Sequence, residues 1–98
     1  MSTTPKKLSN TDITKKLLKI SGWSVNTKGT ELSKIFSVST FVSGLSLVAK
    51  IAVHAEVMGH HPTIELSYGK VKVKLTTHDV KGLTRLDFEL ATRINNLS

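Results

Sequence analysis

The chain has 98 residues, no cysteine, 39% hydrophobic and 21% charged residues, and a formal net charge of +7. This length and composition predict a single globular domain and exclude a disordered chain. The absence of cysteine excludes disulfides, thiolate metal sites and a cysteine nucleophile, and it fits a reducing, cytoplasmic location.

The positive charge has two readings. It could indicate that the protein binds an anionic ligand or nucleic acid, but in small proteins such a charge more often reflects a solvated basic surface. The lysines are scattered along the chain, and one Trp, one Tyr and three Phe are too few for a base-stacking platform. We therefore expect no nucleic-acid partner.

The N-terminal region predicts a loose tail and then a helix. Residues 1–9 contain no apolar run of the signal-peptide kind and are expected to form a flexible basic tail, followed by a single domain over 10–98. A helix is predicted over about 11–20, with Asn10 or Thr11 as its N-terminal cap. Its apolar stripe consists of Ile13, Leu17, Leu18 and Ile20.

Two strands are predicted after this helix. Gly22 ends the helical segment, 23–26 reads as a short strand, and 31–38 reads as a longer one. The alternation in the longer strand places Leu32 and Phe36 on the same face. That face is expected to be buried.

The segment 40–58 predicts a long helix, which Ser39 or Thr40 can cap. Apolar side chains cover most of its circumference: Phe41, Val42, Leu45, Leu47, Val48, Ala49, Ile51, Ala52, Val53, Ala55 and Met58. Such a helix must be covered on two sides, and in so short a chain the second cover is expected to be another subunit. The polar stripe that includes Lys50 and His54 makes the helix a poor membrane span.

The last part of the chain predicts a hairpin and a third helix. The segments 63–68 and 70–76 alternate in polarity, which places Ile64, Leu66 and Tyr68 on the face expected to be buried. Thr84 with Asp87 resembles a capping pair for a helix over 85–96. The lysines of the second strand, Lys70, Lys72 and Lys74, share its polar face. The order of elements predicts an α+β fold, with a four-stranded antiparallel sheet and three helices packed on one of its faces.

Three histidines are expected to meet at the open end of this hairpin. His60 and His61 precede its first strand and His78 follows its second, so the hairpin brings three imidazoles together. Imidazole both donates and accepts protons near neutral pH, and Asp79 or Asp87 could orient one of the rings. A zinc site is the rival interpretation. Adjacent histidines project in different directions, however, so no metal is expected.

The spacing around these histidines resembles the pterin-4a-carbinolamine dehydratase family. The residues that carry the resemblance are Glu56-Val57-Met58-Gly59-His60-His61-Pro62, Tyr68, Leu75-Thr76-Thr77-His78-Asp79, Gly82-Leu83-Thr84 and Asp87, with Gly22-Trp23 and Lys34-Ile35-Phe36 upstream. It covers about residues 10–95. It implies an enzyme without a cofactor that removes water from 4a-hydroxytetrahydropterin to give quinonoid dihydropterin, in the recycling of a tetrahydrobiopterin-type cofactor.

The resemblance also implies roles for individual residues. His60 and His78 become the candidates for proton transfer, and His61 would bind and polarise the pterin. Asp87 joins these three histidines in the implied catalytic set, as a group that supports them. The implied substrate-binding set is Glu56, His60, His61, Pro62, Thr77, His78, Asp79 and Val80.

The partner and the exact substrate stay open at this point. Family members are oligomeric, so a homodimer or homotetramer formed through the 40–58 helix is expected. A non-catalytic role as an oligomerisation or protein-interaction module is the alternative, because animal relatives bind a homeodomain transcription factor. Gly59 and Thr63-Ile64 depart from the family pattern at the rim of the pocket. Another reduced pterin, such as a molybdopterin-related compound, is therefore an alternative substrate.

Overall fold

The computed structural model describes residues 4–97, which form three α-helices, a four-stranded sheet and one short 3-10 helix. The elements are α1 (Asn10–Leu17), β1 (Ser24–Val25), β2 (Leu32–Ser37), α2 (Phe41–Met58), β3 (Thr63–Ser67), β4 (Lys70–Leu75), the 3-10 helix (His78–Val80) and α3 (Arg85–Asn95). The strands pair antiparallel in the order β1-β2-β4-β3. The predicted α+β fold is confirmed, with the 3-10 helix as an element that the sequence did not predict.

The core lies between one face of the sheet and the helices. Every second residue of the central strand β4 is buried, namely Val71, Val73 and Leu75, as its alternation predicts. The buried side of α2 consists of Gly44, Leu47, Ile51 and Ala55, and that of α3 includes Phe88, Leu90, Ala91 and Ile94. Burying one large aliphatic side chain contributes about 1.5–3 kcal/mol, so this layer supplies most of the stability.

Helix α1 is shorter than predicted and begins one residue earlier. The Oγ of Ser9 accepts a hydrogen bond from the backbone N–H of Asp12, so Ser9 is the N-cap in place of the two residues that follow it. The helix ends at Leu17. Ile20 is nevertheless buried, because a tight turn in which its N–H bonds to the carbonyl of Leu17 continues the chain over the core.

The β3–β4 turn corrects another prediction. Strand β3 ends at Ser67, and Tyr68, expected on the buried face with Ile64 and Leu66, is 80% exposed. Tyr68 and Gly69 together form the two-residue turn, and Gly69 has a positive φ of 83°. A residue in such a turn has left the pleat of the strand and no longer shares its faces.

The segment of residues 4–8, here called the N-terminal segment, lies against the loop that follows β4. The N–H of Leu8 donates to the carbonyl of Leu83 at 2.8 Å, and the hydroxyl of Thr4 donates to Asp79 Oδ2 at 2.9 Å. The predicted flexible tail covers 1–9, of which residues 1–3 lie outside the described part of the chain, as does residue 98 of the predicted domain. Its flexibility stays a prediction.

Helix α2 has 18 residues and a mean hydropathy of 1.5, so by length and composition alone it could cross a membrane. One of its faces packs on the sheet, as in the core helix of a globular domain. The opposite face is uncovered, with Leu45 53% and Val53 61% exposed. The sequence predicts that both sides of this helix are covered, and the described part of this chain covers only one of them.

Candidate active site

The position of His60 follows from the way α2 ends. Gly59 adopts a left-handed conformation with φ 63°, and its N–H bonds back to the carbonyls of Ala55 and Glu56. The N–H of His60 also bonds to the carbonyl of Ala55, at 3.0 Å. This left-handed cap turns the chain sharply out of the helix, and His60 is only 8% exposed as a result.

The imidazole of His60 is bound to a buried carboxylate. Its Nε2 lies 2.6 Å from Oδ1 of Asp87, which is fully buried. The other oxygen of Asp87 accepts hydrogen bonds from the hydroxyl of Thr77 at 2.7 Å and from the backbone N–H of Thr84 at 2.9 Å. The bond to Thr84 belongs to the capping box of α3, so the predicted capping pair is confirmed. The carboxylate of Asp87 therefore both caps the N-terminus of α3 and orients the imidazole of His60.

A second pair of this kind lies at the surface. His61 Nε2 is 2.6 Å from Glu56 Oε2, and both side chains are largely exposed. Exposed pairs contribute about 0–1 kcal/mol to stability, so this contact sets orientation more than it holds the fold. Glu56, which the resemblance places in the substrate-binding set, thus contacts His61 and not His60.

His78, which follows the second strand of the hairpin, lies near His60 and His61. It opens the 3-10 helix, in a loop that is closed by the N–H of Thr77 donating to the carbonyl of Gly82 at 2.9 Å. The three histidines together line one cleft of about 200 Å³, as the hairpin geometry predicts. Its walls are Gly59, His60, His61, Thr76, Thr77, His78 and Asp79.

A second cleft of about 310 Å³ adjoins the first, and we call the two together the histidine cleft. Its walls are Thr4, Pro5, Met58, Gly59, His60, Thr77, Asp79, Arg85 and Leu86, four of which also line the first cleft. Sequence reasoning missed the contribution of Thr4, Pro5 and Arg85. No local pattern could have revealed it, because a loose tail carries no periodicity that places it against a distant loop.

The remaining predicted residues divide into two groups. Thr77 and Asp79 line the histidine cleft, and Asp79 accepts its hydrogen bond from Thr4 and not from a histidine. Pro62 and Val80 do not line either part of this cleft. Within residues 4–97, no cluster of three or more His, Asp or Glu side chains is arranged to hold a metal ion. The cleft instead presents two His–carboxylate pairs and one exposed imidazole, groups suited to moving protons.

Comparison with known sequences assigns this arrangement to a family. The family model described as "Pterin 4 alpha carbinolamine dehydratase" matches residues 6–97. Proteins of Roseiflexus sp. (strain RS-1) and Nostoc sp. (strain PCC 7120), both named "Putative pterin-4-alpha-carbinolamine dehydratase", are 41% and 42% identical to this chain over 91 residues. Each alignment covers 93% of this chain and 96% of the relative.

Solved structures show the same fold. The crystal structure of a protein described as a transcriptional coactivator/pterin dehydratase from Brucella melitensis superimposes with a TM-score of 0.89 at 27% identity, over 94% of this chain and 98% of that one. A pterin dehydratase-like protein identified as a RuBisCO assembly factor in the alpha-carboxysome gives a TM-score of 0.66 at 21% identity, over 78% of this chain and 88% of its own. The second likeness shows the fold alone.

Proposed function

The chain belongs to the pterin-4a-carbinolamine dehydratase family, and from this membership we propose that it removes water from a 4a-hydroxytetrahydropterin to give the quinonoid dihydropterin. The observation that carries the proposal is the buried pair of His60 and Asp87, on the wall of a cleft that His61 and His78 also line. The names of the relatives support the dehydratase class.

The reaction requires two proton transfers and no external electrons. The bond between C4a and oxygen breaks, and the oxygen leaves as water after it has received a proton from an acid. A lone pair of the neighbouring ring nitrogen forms the new double bond to C4a, and a base removes one proton from the ring system. Because hydroxide is a poor leaving group, protonation lowers the barrier, and such acid–base help is typically worth about 10²–10⁴ in rate.

We assign the proton transfers to His60 and His78. The carboxylate of Asp87 holds one nitrogen of His60 and orients the ring, while the other nitrogen is left for the substrate. His61, held by Glu56, would bind and polarise the pterin at the open side of the cleft. Thr77 and Asp79 would line the substrate slot, and the binding roles of Pro62 and Val80 stay predictions.

The decisive experiment measures dehydration of a chemically generated carbinolamine by the purified protein. His78→Ala removes an exposed imidazole, and His60→Gln keeps a donor for Asp87 but cannot titrate, so both variants should fold. Each is expected to lower turnover about 100-fold. His54→Ala is the matched control and should retain the wild-type rate, because His54 contacts Arg93 of α3 and does not line the histidine cleft. Wild-type rates in both cleft variants would contradict the assignment, and an inactive wild-type protein would refute the proposed reaction.

We further propose that a second copy of this chain covers the exposed face of α2, giving a homodimer or homotetramer. The face is apolar at helical spacing, with Phe41, Leu45 and Val53 all about half exposed or more. A single chain that left this surface in water would forgo the stabilisation that its burial provides. Self-association through α2 accounts for a helix that is apolar on both sides.

The exposed apolar face of α2 also favours a second, non-catalytic function. An interaction module would use this face of α2 and not the histidine cleft, as the description of the Brucella protein as a coactivator suggests for that protein. Capture of a partner protein that survives replacement of all three cleft histidines would support this function. A molybdopterin-related compound stays the alternative substrate, and a cytoplasmic location stays a prediction.

A further inference from the structure

A basic groove begins where the histidine cleft ends. It has a volume of about 290 Å³ and lies between α1 and α3. Its walls are Lys16, Lys19, Ile20, Arg85, Phe88, Glu89 and Thr92. Arg85 lines both this groove and the part of the histidine cleft that contains His60 and Thr77, so the two spaces meet at its side chain.

The charges of this groove are unbalanced. Lys16, Lys19 and Arg85 share the groove with a single acid, Glu89, and beside it Asp12 and Lys15 line an adjoining cleft with the same two lysines. Among residues 4–97, no carboxylate lies within 4.0 Å of any of the three groove cations, whereas Lys74 on the sheet pairs with Glu65. An unpaired cation keeps its full attraction for an external anion, and the convergence of three favours an anion of more than one charge.

The length of the groove fits a ligand that extends out of the histidine cleft. Along α3 it runs from Arg85 to Thr92, which at the helical rise of about 1.5 Å per residue is roughly 10 Å. Buried Ile20 and Phe88 give it an apolar floor beneath the cations. A short polar side chain that starts at a ring in the histidine cleft would pass Arg85 and end near the two lysines.

We propose that this groove binds the phosphate of the substrate, so that the substrate class is a reduced pterin with a phosphorylated side chain. The inference rests on the proposed function, because it extends the same site. Lysine and arginine are the side chains that bind phosphate most effectively, and a phosphate monoester carries about −1.5 to −2 charges near neutral pH. Arg85 binds the phosphate or the linker beside it, and Lys16 and Lys19 bind the phosphate itself.

The test compares equilibrium binding of dihydroneopterin and dihydroneopterin monophosphate, which differ only in the phosphate. At low ionic strength the phosphate is expected to tighten binding about tenfold. This advantage should fall to about twofold in the double variant Lys16→Ala/Lys19→Ala and should shrink at about 0.5 M salt. The matched control is the double variant Lys28→Ala/Lys70→Ala, which removes the same two positive charges from the β1–β2 turn and the start of β4 and should leave both affinities unchanged.

The outcomes separate this inference from the dehydratase proposal. Equal affinity for the two pterins, or a phosphate preference that persists in the double variant, overturns the inference but leaves the dehydratase proposal standing, because the neutral pterin reports on the histidine cleft alone. If neither pterin binds, both proposals fail. Salt-sensitive binding of duplex DNA that displaces the phosphorylated pterin and is lost in the double variant would assign the groove to nucleic acid instead, and would also overturn the inference.

Discussion

Nε2 of His60 lies 2.6 Å from Oδ1 of Asp87, and both side chains are withdrawn from solvent. The second oxygen of the same carboxylate caps the N-terminus of α3 and accepts a hydrogen bond from the hydroxyl of Thr77. Because one buried group serves both the helix and the imidazole, changes at Asp87 should affect stability and activity together. Changes at the exposed His78 should affect activity alone.

Replacing Asp87 tests this coupling. Asp87→Asn keeps the size of the side chain but removes its charge, and turnover should fall about 100-fold because an amide NH2 group that faces Nε2 no longer orients the His60 ring as the carboxylate does. Asp87→Ala should in addition cost about 2–4 kcal/mol of unfolding free energy, since it removes the cap and leaves buried polar groups unpaired. Urea unfolding and a turnover assay measure the two effects, with Glu31→Gln as the control. Full activity in Asp87→Asn would show that the charge is dispensable.

Substitutions of Gly59 test the backbone that positions His60. Gly59 has φ 63°, and among the described residues no atom beyond Gly59 and its two chain neighbours lies within 4 Å of the place where a Cβ would stand, so any cost is conformational. Gly59→Val should lower the unfolding free energy by about 1–2 kcal/mol, whereas Gly59→Asn should cost only a few tenths, because Asn tolerates this conformation. Thermal melts of the two variants make the comparison. Similar melting temperatures for both would show that the chain ends α2 in another way.

The bond between Thr4 and Asp79 holds the N-terminal segment against the histidine cleft. Thr4→Val removes it, and because the pair is exposed, the global unfolding free energy should change by less than about 1 kcal/mol. Hydrogen exchange in the loop 77–82 should accelerate, since local opening no longer breaks that bond. Thr11→Val, on the exposed side of α1, is the control. Unchanged exchange in this loop would show that the segment does not brace it.

The pH dependence of stability should report the ion pair of Glu65 and Lys74 on the sheet. The hydrogen bond and positive charge of Lys74 hold the pKa of the Glu65 carboxyl below its usual range, with smaller help from Lys72 and Lys70. Between the lowered and the usual carboxyl pKa, the unfolded chain therefore binds more protons than the folded one. The stabilisation by this ion pair is fully present above the usual carboxyl pKa, and it is lost as the pH falls through the lowered pKa. In urea titrations, Glu65→Gln should therefore lose less stability than the wild type between about pH 6 and pH 3. Identical losses would rule out this contribution.

The exposed face of α2 predicts self-association. Light scattering at micromolar concentration should find dimers or tetramers of the wild-type chain. Leu45→Glu should weaken assembly about 10–100-fold, the loss expected when one buried leucine contact of about 1.5–3 kcal/mol is removed. The fold should survive, because Leu45 is 53% exposed within the single chain. Lys50→Glu, on the polar stripe, is the control and should assemble normally. A monomeric wild-type protein would exclude this interface.

Several secondary-structure elements could be predicted from the local sequence pattern alone. The alternation of β4, the capping pair of α3 and the extent of α2 all depend on neighbours a few residues away, and all three agree with the structure. The end of α1 and the position of Tyr68 could not be read in this way. A tight turn can continue a helical stripe past the helix, and a turn residue can continue an alternation past the strand.

The meeting of the histidines was likewise predictable, because a hairpin with a tight turn brings its two ends together whatever it packs against. The pairing within the cleft was decided by tertiary structure. His60 and Asp87 are 27 residues apart, and whether the carboxylate of Asp87 reaches His60 depends on how α3 docks beside the end of α2. The same docking places Arg85 between the histidine cleft and the basic groove. Local spacing thus determined which chemical groups the site contains, and the packing of distant elements determined which of them touch.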